Sequence, residues 1–218
     1  MTPRLYPLFL KLSGHPVLVV GGGTIARRKI ESLLESGAEV CVVSPKVVPE
    51  VESMVEAGRV EWVQSPFEPT HLAGKRLVVA ASSSQSVNEL VAQTARDMNI
   101  WINTVDVPEL CDFYVPSVVD RNPLLIAVST MGQAPAFARK LRKELETLFP
   151  PTLGDYVGHL GDIRESLRAM GTETLMRVAK LIASSSARER WLSGDMNGAR
   201  KQLEQEVNEH LRQDRSES

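Results

Sequence analysis

The sequence predicts an α/β fold in which a parallel sheet is covered by helices on both faces. A small α+β segment follows the sheet, and an α-helical C-terminal region follows that segment. Three observations predict this fold. From Val17 to Thr104, short β-branched runs alternate with longer helical patterns. Those runs are apolar on both faces, as the buried strands of parallel sheets are. Beyond Thr152 no strand signal remains, and the pattern is that of amphipathic helices.

Five strands and three helices are predicted in the first region. The strands are Val17–Val20, Val40–Val43, Val60–Val63, Leu77–Ala81 and Ile100–Thr104, and the helices are Ala26–Ser36, Pro49–Ala57 and Val87–Met98. Gly37 follows the first helix, where glycine commonly ends a helix because it tolerates the left-handed backbone. Because strands and helices alternate, the sequence predicts βαβ units and a doubly wound sheet.

The pattern changes after Cys111. Two strands, Phe113–Val119 and Leu124–Ser129, flank a turn of residues 120–123 and are predicted to pair antiparallel. A helix over Pro135–Leu148 follows, with the proline in its first turn. The later helices are Thr152–Met170, Thr172–Ser184 and Asn197–Arg212, with breaks near Gly171 and at Ser193 and Gly194. These patterns predict three parts, residues 1–112, 113–150 and 151–218.

The composition limits the class of protein. Lys and Arg total 25 and Asp and Glu 27, for a formal net charge of −2, which excludes a generally basic nucleic-acid binder. No apolar run is long enough to cross a bilayer, and the N-terminus lacks the apolar stretch of a secretion signal. We therefore expect a cytoplasmic protein that binds neither nucleic acid nor membrane. The two cysteines, Cys41 and Cys111, lie too far apart for a metal or redox motif.

A glycine turn follows the first predicted strand. Gly21, Gly23 and Ala26 fit the G-x-G-x-x-A version of the dinucleotide-binding fingerprint. Gly21 permits the tight turn, Gly23 lets a pyrophosphate approach the backbone, and Ala26 allows the helix to pack closely on the strand. Free N–H groups at the helix N-terminus, at Thr24 and Ile25, favour phosphate. The sequence therefore predicts a Rossmann-like domain that binds a dinucleotide.

The residues after the second strand do not decide which dinucleotide, NAD or NADP, the chain binds. An acidic residue about 20 residues after the glycine turn usually binds the adenosine ribose, and none stands there. The strand instead ends in Ser44, Pro45 and Lys46. Ser44 could bind a ribose hydroxyl, and Lys46 could tolerate a 2′-phosphate. The choice between NAD and NADP is not made by these residues.

Four segments occur in order at plausible spacing. They are Gly21–Lys29 (GGGTIARRK), Asn103–Asp106 (NTVD), Phe113–Arg121 (FYVPSVVDR) and Ala127–Pro135 (AVSTMGQAP). In this combination the chain resembles the precorrin-2 dehydrogenases, which are also the N-terminal module of siroheme synthases. The resemblance extends from about Arg4 to Met170. The resemblance implies NAD⁺-dependent oxidation of precorrin-2 to sirohydrochlorin in siroheme biosynthesis, and it favours NAD. It also implies a homodimer built around the middle segment.

The resemblance and the fold together suggest the residues of the site. The nicotinamide is expected at the carboxyl edge of the sheet, near Ser82 and Asn103. Asp106 lies just past the fifth strand and matches, by resemblance, the family's catalytic aspartate. A carboxylate at that place is able to accept a proton.

The tetrapyrrole that the resemblance implies as substrate carries several carboxylates, so its site needs positive charge and hydrogen-bond donors. Arg139 and Arg142 lie on the predicted helix of the middle segment, and Ser129 and Thr130 precede it. Arg121, in the turn between the two strands, is a further candidate. Some members of the family are phosphorylated at the serine that matches Ser129 or at its neighbour.

Other functions remain compatible with the residues. One is a regulatory module that senses NAD, and another is a dehydrogenase for a different substrate, because a fold alone does not fix the substrate. Some members of the family also insert ferrous iron into sirohydrochlorin, and the sequence leaves this activity open. Asp155, His159 and Asp162 share one helical face, but that spacing is typical of a solvated stripe, so no stable metal site is predicted.

Overall fold

A computed structural model describes residues 4–216, with side chains described as far as Arg212. The chain forms two compact units, of which the first ends at Val115 and the second begins at Pro116.

The first unit is a five-stranded parallel sheet with helices. Its strands are β1 (Pro16–Val20), β2 (Glu39–Val43), β3 (Glu61–Val63), β4 (Leu77–Ala80) and β5 (Trp101–Thr104), and its α-helices are α1 (Thr24–Glu35), α2 (Pro49–Glu56) and α3 (Gln85–Asp97). Two short 3-10 helices, Pro69–Leu72 and Pro108–Leu110, complete it. The strand order is β3-β2-β1-β4-β5 and every pair is parallel. The predicted doubly wound sheet is confirmed.

The core of this unit lies on both faces of the sheet. In β1, Val17 and Val19 pack in one apolar cluster with α1 and α2, while Leu18 and Val20 pack in a second cluster with α3. Successive side chains of a strand point to opposite faces, so a strand covered on both faces must be apolar at every position. This is why β1 reads as an uninterrupted apolar run.

The second unit combines a β-hairpin with five helices. Its elements are β6 (Ser117–Arg121), β7 (Leu124–Val128), α4 (Pro135–Leu148), α5 (Pro151–Ser166), α6 (Thr172–Ser184), α7 (Ala187–Leu192) and α8 (Met196–Ser216), with a 3-10 turn at Arg168–Met170. The two strands pair antiparallel, as predicted. Trp191, which is almost fully buried, lies in the core of the C-terminal helices, and Leu124 and Phe149 pack against that core.

The structure departs most from the prediction in three places. The strand predicted from Phe113 begins only at Ser117, because the backbone of residues 112 and 113 bonds to β5 and its Asn103. The helix predicted through Met170 ends at Ser166 and gives way to a 3-10 turn before Gly171, whose φ is +93°. Helix α7 was not predicted because its six residues are too few to show a period, and burial of Ala187 and Trp191 stabilises it. Among the described residues, no helix is both long and apolar enough to cross a membrane.

Candidate active site

The candidate cofactor site lies at the carboxyl edge of the five-stranded sheet. Strands β1 and β4 are neighbours in the middle of the order, where the direction of winding reverses. Open α/β sheets bind ligands in the crevice at such a switch point. The glycine turn leaves β1 there, and the loop that begins at Ala81 leaves β4 beside it. The predicted site residues of the first unit follow strand ends at this edge, except Asn103, which lies in β5 one residue before its end.

Gly21 and Gly22 are required by close backbone contacts. Gly21 has a φ of +121°, and a Cβ atom on it would lie 2.5 Å from the carbonyl oxygen of Ala81. A Cβ atom on Gly22 would lie 2.1 Å from the carbonyl oxygen of Lys46. Contacts this short do not occur, so a side chain at either position would push apart the loops that form the crevice.

Gly23 is different, because the space in front of it is open. No described atom lies within 4 Å of the position that a Cβ would take, and its φ of −85° is ordinary. Gly23 is the N-cap of α1, which has no side-chain cap and no acidic residue in its first turn. The first N–H groups of α1 therefore point toward open space beside a positive helix end, which suits a phosphate group. The residues fit a dinucleotide pyrophosphate.

The loop after β2 orders its own polar groups. The Ser44 hydroxyl donates a hydrogen bond of 2.6 Å to the carbonyl oxygen of Lys46, and the Trp62 indole donates one of 2.9 Å to the Ser44 carbonyl. Ser44 is buried, whereas Pro45 and Lys46 are exposed. Since the Ser44 proton is used within the loop, its Oγ can only accept from a ribose hydroxyl. Lys46 stays available to a phosphate.

The loop after β4 is held by Asn88, which the sequence analysis missed. The Ser82 N–H donates to Asn88 Oδ1 at 3.1 Å, and Asn88 Nδ2 donates to the Ser82 carbonyl at 3.0 Å. Asn88 is buried on the core face of α3, among Val91, Ala92 and Ala95. The sequence signal that could have identified Asn88 is a single amide side chain on an otherwise apolar face of the predicted helix. The amide fixes the backbone of Ser82 at the mouth of the crevice.

The end of β5 is organised by Asn103 and Cys111. Asn103 Nδ2 donates to the Phe113 carbonyl at 2.9 Å and lies 3.6 Å from Cys111 Sγ. The Thr104 N–H donates to the same sulfur at 3.2 Å, and the Cys111 thiol donates to the Thr104 carbonyl at 3.1 Å. Burial raises the pKa of Cys111, the largest influence on it, so the group remains a thiol. Cys111 thus closes the loop of residues 104–111, and the Asn103 amide supports that loop.

Asp106 stands exposed in this closed loop. Its φ is +60°, in the left-handed region that non-glycine residues rarely occupy and that Asp tolerates better than most. Such conformations persist where the surroundings impose them, and they concentrate at functional sites. Here the hydrogen bonds of Cys111 with Thr104 impose the fold of the loop. The result is a carboxylate presented to solvent just past the carboxyl end of β5.

In the second unit, Ser129 and Thr130 shape the turn before α4. The Ser129 hydroxyl accepts from the N–H of Met131 at 3.1 Å, and the Thr130 hydroxyl accepts from the N–H of Ala134 at 3.1 Å. Both hydroxyl protons remain available to an external acceptor. The N-cap of α4, Ala134, provides no side-chain cap, so the start of this helix also offers N–H groups to an anion.

The three predicted arginines of this unit have different environments. Arg121 donates to the carbonyls of Phe149, Asp120 and Glu146 at 2.6, 2.8 and 3.1 Å, and so caps the C-terminal end of α4. Arg142 pairs with Glu146 one turn along the same helix. Arg139 is exposed. The structure therefore keeps Arg139, Ser129 and Thr130 available to an anionic ligand and gives Arg121 partners within the protein.

Two other features lie apart from these residues. A cavity of about 430 Å³ opens at the opposite, amino edge of the first sheet, between the starts of β2 and β3, and none of the predicted site residues lines it. In the second unit His159 stacks on Trp191 with ring centroids 5.7 Å apart. Within the described residues no group of three or more His, Cys, Asp or Glu side chains could hold a metal ion.

Comparison with known proteins identifies related sequences. A family model described as "Putative NAD(P)-binding" matches residues 8–117, and one described as "Sirohaem biosynthesis protein central" matches residues 121–148. Siroheme synthase 1 of Aeromonas salmonicida is 42% identical over 192 residues, which are 88% of this chain and 40% of that protein. A siroheme synthase of Methylobacillus flagellatus is 48% identical over 162 residues, 74% of this chain and 35% of that protein.

A solved structure titled "SirC, precorrin-2 dehydrogenase" has the same fold. Its TM-score is 0.76 at 24% sequence identity, and the match covers 94% of this chain and 100% of that one. The chain spans two fifths or less of the length of the two siroheme synthases above. The first family model alone covers half of the chain. The chain therefore belongs to the NAD(P)-binding family that it shares with the siroheme synthases, and it carries the central segment of sirohaem biosynthesis proteins after that domain.

Proposed function

We propose that this chain oxidises precorrin-2 to sirohydrochlorin with NAD⁺ as a step of siroheme biosynthesis in the cytoplasm. One observation carries the proposal. The exposed carboxylate of Asp106, held in a left-handed conformation, lies at the same sheet edge as the open glycine turn of a dinucleotide site. Dehydrogenation removes a hydride and a proton, so it needs a hydride acceptor and a base at one place.

Each site residue of the first unit has its own role in the proposed reaction. Bound NAD⁺ would supply the hydride acceptor. Gly23 and the N-terminus of α1 would hold its pyrophosphate, and Ser44 Oγ would accept a hydrogen bond from the adenosine ribose. Asp106 would accept the proton that the substrate loses. Asn88 and Cys111 would hold the loops on which Ser82 and Asp106 lie.

The second unit supplies groups that suit a polycarboxylate. Arg139 is an exposed cation, and the free hydroxyl protons of Ser129 and Thr130 are donors. Charge-assisted hydrogen bonds from such groups are the strong ones. We propose these three residues as substrate-binding groups on this chemistry.

A homodimer is part of the proposal. Phe137 and Leu148 on α4 are 57% and 69% exposed, and Val118 and Leu125 stand on one face of the β6–β7 hairpin at 38% and 44%. Large apolar side chains gathered in one segment are typical of an interaction surface. A second copy of the chain would cover them, and sedimentation of the purified protein measures whether it does.

The proposal is tested by replacing Asp106 with asparagine. Asn keeps the size and the tolerance for the left-handed backbone but cannot accept the proton. We expect turnover of precorrin-2 to fall by roughly 10²-fold with NAD⁺ affinity unchanged. Asp97→Asn, an exposed carboxylate at the C-terminal end of α3, serves as the control and is expected to behave like the parent. Unchanged turnover in Asp106→Asn would remove Asp106 from the mechanism.

A further inference from the structure

The loop after β2 lies directly against the glycine turn. A Cβ atom on Gly22 would lie 2.1 Å from the carbonyl oxygen of Lys46, and the N–H of Val48 donates to the Gly22 carbonyl at 2.8 Å. A Cβ on Gly21 would instead meet Ala81, in the loop after β4. The turn that suits a pyrophosphate is therefore flanked by Lys46 on the β2 side and by the β4 loop on the other.

The β2 side is where sheets of this kind bind the adenosine ribose. An acidic residue at the end of the second strand binds the ribose hydroxyls of NAD, whereas a nearby cation accommodates the 2′-phosphate of NADP. An acidic residue also rejects NADP, because like charges at a binding site repel each other. Here β2 ends at Val43, and none of residues 44–49 is acidic. The loop therefore lacks the group that excludes NADP from a site specific for NAD.

The carbonyl groups of this loop are already used as acceptors within the protein. Trp62 Nε1 donates to the Ser44 carbonyl at 2.9 Å, and Gln64 Nε2 donates to the Pro45 carbonyl at 3.4 Å. The Ser44 hydroxyl donates to the Lys46 carbonyl at 2.6 Å. Ser44 Oγ is thus the one side-chain acceptor that residues 44–48 offer to a ribose hydroxyl, and the loop adds no negative charge.

Lys46 is the charged residue of the loop. Its backbone is held by the Ser44 hydroxyl and by the close approach to Gly22. Its side chain is exposed and, within the part of the chain that the structure describes, takes part in no ion pair or side-chain hydrogen bond. The loop thus presents an unpaired ammonium group on a fixed backbone, beside the turn proposed for the pyrophosphate.

We propose that the dinucleotide site accepts NADP⁺ as well as NAD⁺, and that Lys46 binds the 2′-phosphate. This inference rests on the proposed function, in which the same turn holds the pyrophosphate. Charge-assisted hydrogen bonds from an ammonium group to a phosphate are roughly twice as strong as neutral ones. The 2′-phosphate gains such a bond from Lys46 and meets no carboxylate in the loop. We therefore expect the parent to bind NADP⁺ at least as tightly as NAD⁺.

Calorimetric titration of Lys46 variants with each dinucleotide tests the proposal. Lys46→Met keeps most of the aliphatic stem and removes the charge. We expect it to raise the Kd for NADP⁺ by roughly tenfold and the Kd for NAD⁺ by less than about twofold. Lys46→Glu supplies the missing acidic residue and should weaken NADP⁺ further. Lys11→Met, at an exposed lysine ahead of β1, is the matched control, and both of its Kd values should equal those of the parent.

A second titration isolates the adenosine end of the cofactor. Adenosine 2′,5′-bisphosphate carries the 2′-phosphate but no nicotinamide, and 5′-AMP lacks both. The parent should bind the bisphosphate more tightly than 5′-AMP, and Lys46→Met should lose that preference. Neither compound undergoes turnover, so this comparison does not depend on precorrin-2.

The outcomes separate this inference from the proposed function. If the parent binds neither dinucleotide, or does not oxidise precorrin-2, the proposed function fails. If the parent oxidises precorrin-2 with NAD⁺ but binds NADP⁺ more weakly than NAD⁺, the inference is wrong and the proposed function stands. Equal NADP⁺ affinities of Lys46→Met and Lys11→Met likewise overturn the role of Lys46. A loss of NADP⁺ affinity confined to the Lys46 variants, with NAD⁺ affinity retained, supports it.

Discussion

At the scale of single residues, the site depends on side chains whose hydrogen-bond partners no sequence motif indicates. The fingerprint residues Gly21, Gly23 and Ala26 were predicted from the sequence because their spacing carries their role. Asn88 and Cys111 were not, since an amide or thiol gains its function from backbone groups that only the fold brings near. Arg121 illustrates the same limit: its charge suggested an anion site, whereas its guanidinium bonds to three backbone carbonyls.

Two glycines of the turn should respond in opposite ways to alanine. Gly21→Ala places a Cβ 2.5 Å from a backbone oxygen at a φ of +121°, so we expect the free energy of unfolding to fall by about 2 kcal/mol or more. Gly23→Ala meets open space at an ordinary φ. It should remain within about 0.5 kcal/mol of the parent and lose affinity for NAD⁺.

Urea unfolding and calorimetric titration with NAD⁺ measure the two effects. A stable Gly23→Ala variant that binds NAD⁺ as well as the parent would show that the pyrophosphate does not lie over this residue.

We expect His159 to make the second unit sensitive to acid. Burial chiefly lowers the pKa of His159, with a further contribution from Arg200, while Asp162 and Glu204 act against them. The folded state prefers the neutral ring stacked on Trp191. The contribution of His159 to stability is therefore fully present above the ordinary histidine pKa of about 6.5. It is lost as pH falls from there toward the folded-state pKa.

We expect thermal unfolding to show that loss as the pH falls below about 6.5, and His159→Gln to reduce it. If His159→Gln unfolds with the pH dependence of the parent, the stacked ring is not the group responsible.

At the scale of elements, the crossing of α5 over the hairpin depends on a glycine. A Cβ on Gly154 would lie 1.8 Å from the carbonyl oxygen of Arg121, whereas a Cβ on Gly158, one turn later, would lie 3.9 Å from the Pro123 side chain. Gly154→Ala should therefore destabilise the second unit by roughly 3 kcal/mol. Gly158→Ala should be neutral or stabilise it by up to about 1 kcal/mol, because alanine favours helices.

Urea unfolding measures this pair, followed by tryptophan fluorescence with Trp62 and Trp101 replaced by phenylalanine so that Trp191 alone reports. A Gly154→Ala variant as stable as Gly158→Ala would mean that α5 does not cross the hairpin this closely.

Helices and strands were predicted well where the spacing of apolar residues follows a clear helical or strand pattern. All five strands of the sheet and helices α1 to α4 and α6 lie within three residues of their predicted limits, because a strand buried on both faces and an amphipathic helix each leave a distinct apolar pattern. The prediction failed where tertiary contacts determine where an element begins or whether it forms. The start of β6 is set by bonds from residues 112 and 113 to β5, and α7 is held by the burial of Trp191 rather than by its own propensity.

At the scale of the whole molecule, the chain combines an NAD(P)-binding unit with a unit that begins with the sirohaem central segment. The first contributes the glycine turn and Asp106, and the second contributes hydroxyls, an exposed arginine and the apolar faces proposed for the dimer. Neither set alone implies precorrin-2. Their succession in one chain adds support to the functional proposal, which the position of Asp106 beside the glycine turn carries.

The most direct test is an anaerobic absorbance assay of the purified chain with precorrin-2, with and without NAD⁺. We predict that the sirohydrochlorin spectrum appears only when both enzyme and NAD⁺ are present. Later addition of ferrous iron to the same sample shows whether insertion to give siroheme is faster with the enzyme than without it. Precorrin-2 left unchanged by enzyme and NAD⁺ would contradict the account.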